Sequence, residues 1–311
     1  MNQTTNTILM IRPVQFRMNE QTAVNNYYQK KLEGLTPENA NQKAQQEFDG
    51  FVERLRSVGV NVVVVDDTKD TDTPDSIFPN NWISFHEDGQ VVLYPMFAEN
   101  RRPERREDIL DLLEEQGFII DEINDYTSAE EDEIFLEGTG SMILDRTNAK
   151  VYAALSPRAD EELIIEFCED TDMHPVIFEA YQTVNGQRLP IYHTNVMMSI
   201  AETFVIICAD CIDDKQERKL VVNHLKEDGK EIIYITEDQV SHFAGNMLQV
   251  AGKDGQLYMV MSTQAFESLE DKQIKAIEKH CAILHAPLYT IEACGGGSAR
   301  CMLAEVFLPK S

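Results

Sequence analysis

The chain has 311 residues and carries 54 acidic against 27 basic side chains, a formal net charge of −27. A protein with this negative charge repels phosphate backbones and anionic membrane surfaces. We therefore expect no nucleic-acid partner and no membrane partner. Apolar residues make up 43% of the chain and aromatic residues 8%, which supplies a core and argues against intrinsic disorder.

The first residues, up to Arg12, lack the basic and long apolar regions of a secretory signal. No apolar run reaches the roughly eighteen residues of a membrane span. Six cysteines are few for this length, and several lie inside apolar runs, which is typical of a reducing compartment. We therefore expect a cytoplasmic protein.

Short apolar runs, many rich in Val and Ile, alternate with charged stretches of helical periodicity. The apolar runs predict strands at Thr7–Ile11, Asn61–Val65, Trp82–Phe85, Val91–Tyr94, Met142–Asp145, Val151–Ala154, Val196–Ile200, Phe204–Ile207, Glu231–Ile235, Met247–Val250, Gln256–Met261, Leu288–Ile291 and Glu305–Leu308. The charged stretches predict helices at Ala23–Leu32, Thr36–Val58, Arg105–Gln116, Asp160–Cys168, Asp214–Asp228 and Ser262–Lys279.

The elements recur as two strands, a helix and another strand, at a loose spacing of roughly 50–60 residues. This pattern fits two architectures equally: a propeller of ββαβ units around a centre, and a layered α/β fold. No Pro/Gly/Ser-rich linker marks a domain boundary. We therefore expect one α/β domain over residues 1–311.

A glycine-rich loop near the C-terminus, Ala293-Cys-Gly-Gly-Gly-Ser-Ala-Arg-Cys301, is the strongest chemical signal. Its glycines let the backbone approach a ligand, and Arg300 beside Cys301 favours the nucleophilic thiolate. The alternative is a glycine-rich turn followed by a buried, inert cysteine. Cys208 and Cys211 form a lone CxxC spacing without a second pair, so no zinc site is expected.

A cysteine nucleophile needs an acid or base partner, and His193 stands at the mouth of an apolar strand. Glu137 lies between an apolar run and a glycine turn, where a carboxylate could orient a histidine. A structural role for each remains the alternative.

Further candidates are polar residues beside predicted strands and the few arginines of this acidic chain. Asp75 and Asn81 precede an apolar strand, with a capping turn as the alternative reading. Arg158, Arg101 and Arg102 are arginines of the kind that hold a substrate carboxylate. Arg105 and Arg106 fit better as a solvated helix start.

Together these segments resemble the guanidino-group-modifying superfamily of arginine deiminases, dimethylarginine hydrolases and amidinotransferases, in order along nearly the whole chain. The matching segments are Asp75-Ser-Ile-Phe-Pro-Asn-Asn, Leu136-Glu-Gly, Leu155-Ser-Pro-Arg158, His193-Thr-Asn and Gly296-Gly-Ser-Ala-Arg-Cys301. The resemblance implies the pentein fold, a five-bladed α/β propeller of ββαβ units. It also implies Cys301, His193 and Glu137 as catalytic residues, no metal or organic cofactor, and a homodimer at the family level.

Two positions depart from the arginine deiminase pattern, because Asn81 and Asn195 stand where carboxylates usually pair with the guanidinium cation. An amide does not balance a full charge, whereas it suits a neutral ureido group. Arg12-Pro-Val, Asn80-Asn-Trp and the cysteine loop resemble citrulline-utilisation hydrolases (citrulline ureidases). The resemblance thus implies that Asp75, Asn81 and Asn195 bind the head group of a ureido or guanidino amino acid. It also implies that Arg158, with Arg101 or Arg102, binds the carboxylate of that substrate.

The expected reaction is hydrolysis of citrulline to ornithine, CO2 and ammonia through a covalent cysteine intermediate. An arginine deiminase or an amidinotransferase with the same nucleophile is the alternative within the superfamily. A non-catalytic binding protein on the same fold is the alternative of another class.

Overall fold

A computed structural model describes residues 1–32 and 34–310 of the chain. Its strands are β1 Thr7–Arg12, β2 Asn61–Asp66, β3 Ile83–Phe85, β4 Gln90–Leu93, β5 Glu122–Asp125, β6 Met142–Asp145, β7 Lys150–Leu155, β8 His174–Glu179, β9 Tyr181–Val184, β10 Gln187–Pro190, β11 Met198–Ile200, β12 Phe204–Ile207, β13 Glu231–Tyr234, β14 Leu248–Ala251, β15 Leu257–Ser262, β16 Ala282–Ala286 and β17 Ala304–Glu305.

The helices are α1 Pro37–Ser57, α2 Glu107–Glu115, α3 Gly138–Ser141, α4 Glu161–Asp170, α5 Lys215–Glu227, α6 Glu237–Ser241, α7 Thr263–Ser268, α8 Asp271–Glu278 and α9 Tyr289–Gly295. Short 3₁₀ turns lie at Pro79–Asn81, Glu99–Glu104, Thr127–Asp132, Thr194–Val196, Ala209–Cys211, Lys253–Gly255 and Ala299–Met302. Several of these turns carry the residues of the candidate site.

Five three-stranded sheets of the described residues share one construction. In each sheet the first two strands pair antiparallel, and the third strand pairs parallel with the middle one after a helical crossover. The strand orders are β3-β4-β5, β6-β7-β8, β11-β12-β13, β14-β15-β16 and β17-β1-β2. The predicted five-bladed α/β propeller of ββαβ units is confirmed. In the last sheet β17 pairs with β1, so distant parts of the chain complete one blade.

The first strand of each sheet faces the centre of the ring. Strand β3 contacts β17, β6 contacts β11, and β11 contacts β14. The long helix α1 packs on its own sheet and buries Phe48, Phe51 and Leu55 against Ile8 and Val62. This helix begins at Thr36, whose side chain accepts from the Asn39 amide, followed by a proline at the first helical position.

Four predicted elements differ from the structure: residues 23–32, 262–279, 288–291 and 305–308, of which the last meets strand β17 only at Glu305. Residues 23–32 form turns instead of a helix, because their polar groups bond to distant loops. Residues 288–291 begin α9 instead of a strand, since Glu47 accepts from the amides of Thr290 and Ile291 and caps that helix. The strand lies earlier, at β16.

The predicted helix 262–279 divides into α7 and α8 at the extended residue Leu269. Glu270 and Gln273 form a capping box that begins the second helix. Within the described part of the chain, no helix has both the length and the apolar character required to cross a bilayer.

Candidate active site

The turns that enter the central strands bring the candidate catalytic side chains together. Glu137 directly precedes α3, His193 precedes the turn Thr194–Val196, and Cys301 lies in the turn Ala299–Met302. Each turn leads into the first strand of a different blade, so three distant segments converge at the ring centre. The side chains of all three residues are buried.

Glu137 and His193 form a short hydrogen bond, with Nε2 of the imidazole 2.7 Å from Oε2 of the carboxylate. Burial acts to raise the pKa of Glu137, but Arg158 and His193 outweigh it and hold that pKa well below its usual range. Arg158 lies 3.3 Å from the same oxygen. Glu137 is therefore ionised, and Arg158 supplies its main counter-charge.

Burial lowers the pKa of His193 to about 4, against the opposing effect of Glu137. The imidazole is thus neutral near pH 7, and Nε2–H donates to Glu137. This tautomer leaves Nδ1 as the basic nitrogen, which lies beside Gly140. A neutral histidine fixed by a carboxylate can accept a proton from a thiol and return it later.

The sulfur of Cys301 is held by two amides. Nδ2 of Asn246 lies 3.2 Å from Sγ and Nδ2 of Asn195 lies 3.5 Å from it. Amide donors of this kind stabilise negative charge on a sulfur that acts as a nucleophile. Asn246 was not identified from the sequence.

Asp75 and Asn81 lie at the same cavity as His193 and Cys301. Oδ2 of Asp75 accepts from Asn19 and Thr22, whereas Oδ1 has no hydrogen-bond partner among the described residues. Burial raises the pKa of Asp75 in spite of the nearby Arg101. The cavity therefore presents one free carboxyl oxygen whose negative charge is disfavoured by its surroundings.

The three candidate arginines occupy different places. Arg158 lines the cavity, and its guanidinium stacks over the Tyr192 ring at 5.0 Å. Arg101 also lines the cavity but binds Glu104 through two hydrogen bonds of 2.9 and 2.8 Å. Arg102 lies elsewhere: its Nε bonds to a backbone carbonyl and pairs with Glu130, so the expectation that it reaches the substrate carboxylate has no geometric support.

A segment of turns, residues 18–32, covers the cavity and is called the cover segment below. Thr22 and Asn25 accept hydrogen bonds from Arg158, and Asn26 donates to the carbonyls of Gly295 and Gly296. The cavity beneath has a volume of about 10 Å³, which is space for a single water molecule. The structure therefore shows the site in a closed state.

The described residues contain no group of three or more His, Cys, Asp or Glu side chains arranged to hold a metal ion. All six cysteines are buried free thiols. The candidate catalytic side chains of the site are therefore Cys301, His193 and Glu137.

A known protein family matches nearly the whole chain. The family described as N,N dimethylarginine dimethylhydrolase, eukaryotic, matches residues 12–308. The chain belongs to this family. The family is described as one of hydrolases that act on a guanidino C–N bond, and the resemblance of this chain to the guanidino-group-modifying superfamily is confirmed.

Solved structures share the fold at low sequence identity. ArgZ, an arginine dihydrolase from the ornithine-ammonia cycle in cyanobacteria, is 17% identical with a TM-score of 0.74, over 98% of this chain. The chain spans only 41% of the ArgZ chain. The N-terminal domain of ArgZ, in a cysteine-to-serine variant bound to substrate, is 17% identical with a TM-score of 0.71, over 97% of this chain and 99% of that domain.

A dimethylarginine dimethylaminohydrolase variant, in an adduct with S-methyl-L-thiocitrulline, is 11% identical with a TM-score of 0.63. That match covers 96% of this chain and 98% of the other. No protein with a curated description matches the chain.

Proposed function

We propose that this family member hydrolyses the ureido group of citrulline, giving ornithine, CO2 and ammonia, with Cys301 as the nucleophile. The observation that carries the proposal is the amide at the head-group end of the cavity. Nδ2 of Asn81 is buried and has no partner among residues 1–32 and 34–310, and it provides a neutral donor where a guanidinium would require an acceptor.

The charges around the cavity support a neutral head group. Glu104 is paired with Arg101 and Glu137 with Arg158, so neither carboxylate remains to balance a bound cation. Asp75 is left, and its burial disfavours the charged form. A ureido group can donate its N–H to Oδ1 of Asp75 and accept from Nδ2 of Asn81 without introducing a charge.

The chemistry requires two proton transfers by one imidazole. Cys301 transfers its proton to Nδ1 of His193 as sulfur attacks the ureido carbon, and the resulting imidazolium then protonates the departing amine of ornithine. The carbamoyl thioester left on sulfur is attacked by water, which gives its proton to His193. The thiol re-forms, and the released carbamic acid decomposes to CO2 and ammonia.

The substrate carboxylate is assigned to Arg158. Among the described residues, this guanidinium donates to Glu137 and otherwise to neutral acceptors of the cover segment. A carboxylate is a stronger partner than the carbonyl of Thr22 or the amide of Asn25. Citrulline cannot fit beneath the closed cover segment, so that segment moves aside as the carboxylate takes over its bonds to Arg158.

Arginine deiminase is the second candidate, and Asp75 is the observation that favours it. A buried carboxyl with one free oxygen would become a counter-charge if a guanidinium entered. The proteins with the same fold include one described as an arginine dihydrolase. The two candidates differ in products.

The test is a panel of citrulline, arginine, agmatine and dimethylarginine, with ornithine, ammonia and citrulline measured separately. We expect citrulline to be the preferred substrate and to give ornithine and ammonia in equal amounts. Accumulation of citrulline from arginine would establish a deiminase instead. Cys301→Ala gives the background rate, and Cys294→Ala, at a buried thiol packed in the core, is the matched control.

A further inference from the structure

Arg101 is the most completely bonded cation near the cavity. Its guanidinium donates to both oxygens of Glu104, to the carbonyls of Phe78 and Asp75, and to Oδ1 of Asn81 at 2.8 Å. The side chain is 2% exposed. With its donors engaged by protein groups, Arg101 has little capacity left to hold a substrate carboxylate.

The bond to Arg101 determines which end of the Asn81 amide enters the site. A guanidinium has only donors, so the atom of Asn81 that faces it must be the oxygen. Nδ2 then points the other way, to the space beside Gly140 and the His193 ring. Both nitrogens, Nδ2 of Asn81 and Nδ1 of His193, lie within 3.0 Å of the point where a Cβ on Gly140 would stand.

From this arrangement we infer that the Arg101–Glu104 ion pair is a positioning device that fixes Asn81 as a hydrogen-bond donor, so that the site selects a ureido oxygen against a guanidinium nitrogen. The inference rests on the proposed ureido hydrolysis and names the residues that set its substrate class. Arg101 acts through Asn81, whereas Asn81 is the residue that touches the head group.

The selection follows from donor and acceptor counting. A ureido oxygen accepts from Nδ2 of Asn81, whereas a guanidinium nitrogen presents a second donor and makes no bond. A site built to donate to one group discriminates strongly against an analogue that cannot accept, because a buried polar group is left unpaired.

Nδ2 of Asn81 also stabilises the negative charge that develops on the ureido oxygen during the reaction. When Cys301 attacks, electrons move from the C=O bond onto the ureido oxygen, and the sulfur–carbon bond forms. The oxygen becomes an anion until the carbon–nitrogen bond to ornithine breaks. Nδ2 of Asn81 already points at this oxygen, and its donor strength is increased because Oδ1 is bound to a cation.

The test measures binding, so that it does not depend on turnover. In a Cys301→Ala background, calorimetry gives the dissociation constants of citrulline and arginine. We expect the parent to prefer citrulline by about tenfold or more. Arg101→Lys keeps the charge beside Glu104 but is too short and too narrow to bind Asn81 as well, and should bring the ratio close to one.

Asn81→Asp replaces the donor by acceptors at constant shape and should shift the ratio toward arginine. The double variant Arg101→Lys/Asn81→Asp should show no further change beyond Asn81→Asp alone. Arg105→Lys is the matched control, since Arg105 forms a similar pair with Glu130 that does not contact Asn81. A purely structural role of Arg101 would weaken both ligands equally and leave the ratio unchanged.

The outcomes separate the two proposals. If the intact enzyme hydrolyses citrulline and Arg101→Lys leaves the ratio within twofold of the parent, the positioning role is wrong and the proposed function stands. If citrulline is bound selectively and the ratio collapses in Arg101→Lys, but citrulline is not hydrolysed, the function is wrong and the positioning role stands. A parent that prefers arginine overturns the inference.

Discussion

Ser298 donates a 2.6 Å hydrogen bond to the carboxyl of Glu292, which is buried behind the loop that carries Cys301. Burial raises the pKa of Glu292 to about 7, against the effect of hydrogen bonds from Ser262 and Ser298. The loop that carries Cys301 is thus attached to an acid whose pKa is raised to about 7.

Glu292 should make the folded state less stable as the pH rises. Its folded pKa lies above the ordinary value of 4.5, so its contribution is complete below pH 4.5 and is lost as the pH passes through about 7. The loss is on the order of 3 kcal/mol. Urea denaturation at pH 5 and pH 8 should show this loss in the wild type and little of it in Glu292→Gln. Glu267→Gln, at an exposed site, should behave like the wild type, and equal pH dependence in all three proteins would contradict the assignment.

Glu137→Gln should lower kcat/KM by about 10²- to 10⁴-fold, because the neutral amide no longer fixes the tautomer of His193 or stabilises its imidazolium. It also leaves Arg158 buried without its counter-charge, at a cost of about 3–5 kcal/mol. Steady-state kinetics and thermal unfolding measure the two effects. An activity within tenfold of wild type in the folded variant would remove Glu137 from the catalytic set.

Gly140→Ala should reduce activity by at least about tenfold, since its Cβ would lie 2.2 Å from Nδ2 of Asn81 and 3.0 Å from Nδ1 of His193. The matched control is Gly50→Ala in α1, where a Cβ would meet nothing within 4 Å. That control should keep full activity and gain about 0.5–1 kcal/mol of stability. Similar kinetics for the two alanine variants would show that the space beside His193 is not used.

Arg158→Met should weaken citrulline binding by about 10²-fold, because it removes the proposed partner of the substrate carboxylate. Arg102→Met should have little effect, since that guanidinium bonds to Met96 and Glu130. Calorimetry on the Cys301→Ala background compares the two directly. Equal losses of affinity would mean that the carboxylate binds elsewhere.

Much of the fold and the central catalytic candidates could be predicted from local patterns. The strands that follow the site residues lie in short apolar runs of the sequence, and their approximate positions follow from that pattern. Cys301, His193 and Glu137 each stand at the start of such a strand. The structure places them together at the ring centre.

Asn246 could have been identified from a pattern that recurs in the sequence. The segments Asn80-Asn-Trp, Thr194-Asn-Val and Gly245-Asn-Met each put an asparagine just before the first strand of a blade. In a repeated architecture, a polar residue at the corresponding position of a further unit is a candidate for the same site.

The sequence alone could not show which of the adjacent residues Arg101 and Arg102 faces the cavity. The turn Glu99–Glu104 is a 3₁₀ helix, in which successive side chains point about 120° apart. Arg101 therefore faces the cavity while Arg102 faces outward. The cover segment was unpredictable for another reason, because its conformation depends on bonds to Arg158 and Gly295 far along the chain.

Because β17 pairs with β1, the proposed nucleophile Cys301 joins the ring after the segments that carry the other candidate residues. A ribosome releases the strand after Cys301 only when the segments bearing Glu137, His193 and Asn246 have already emerged, and contacts so remote in sequence form slowly. The proposed site is thus incomplete until β17 has been synthesised and has paired with β1, which closes the ring.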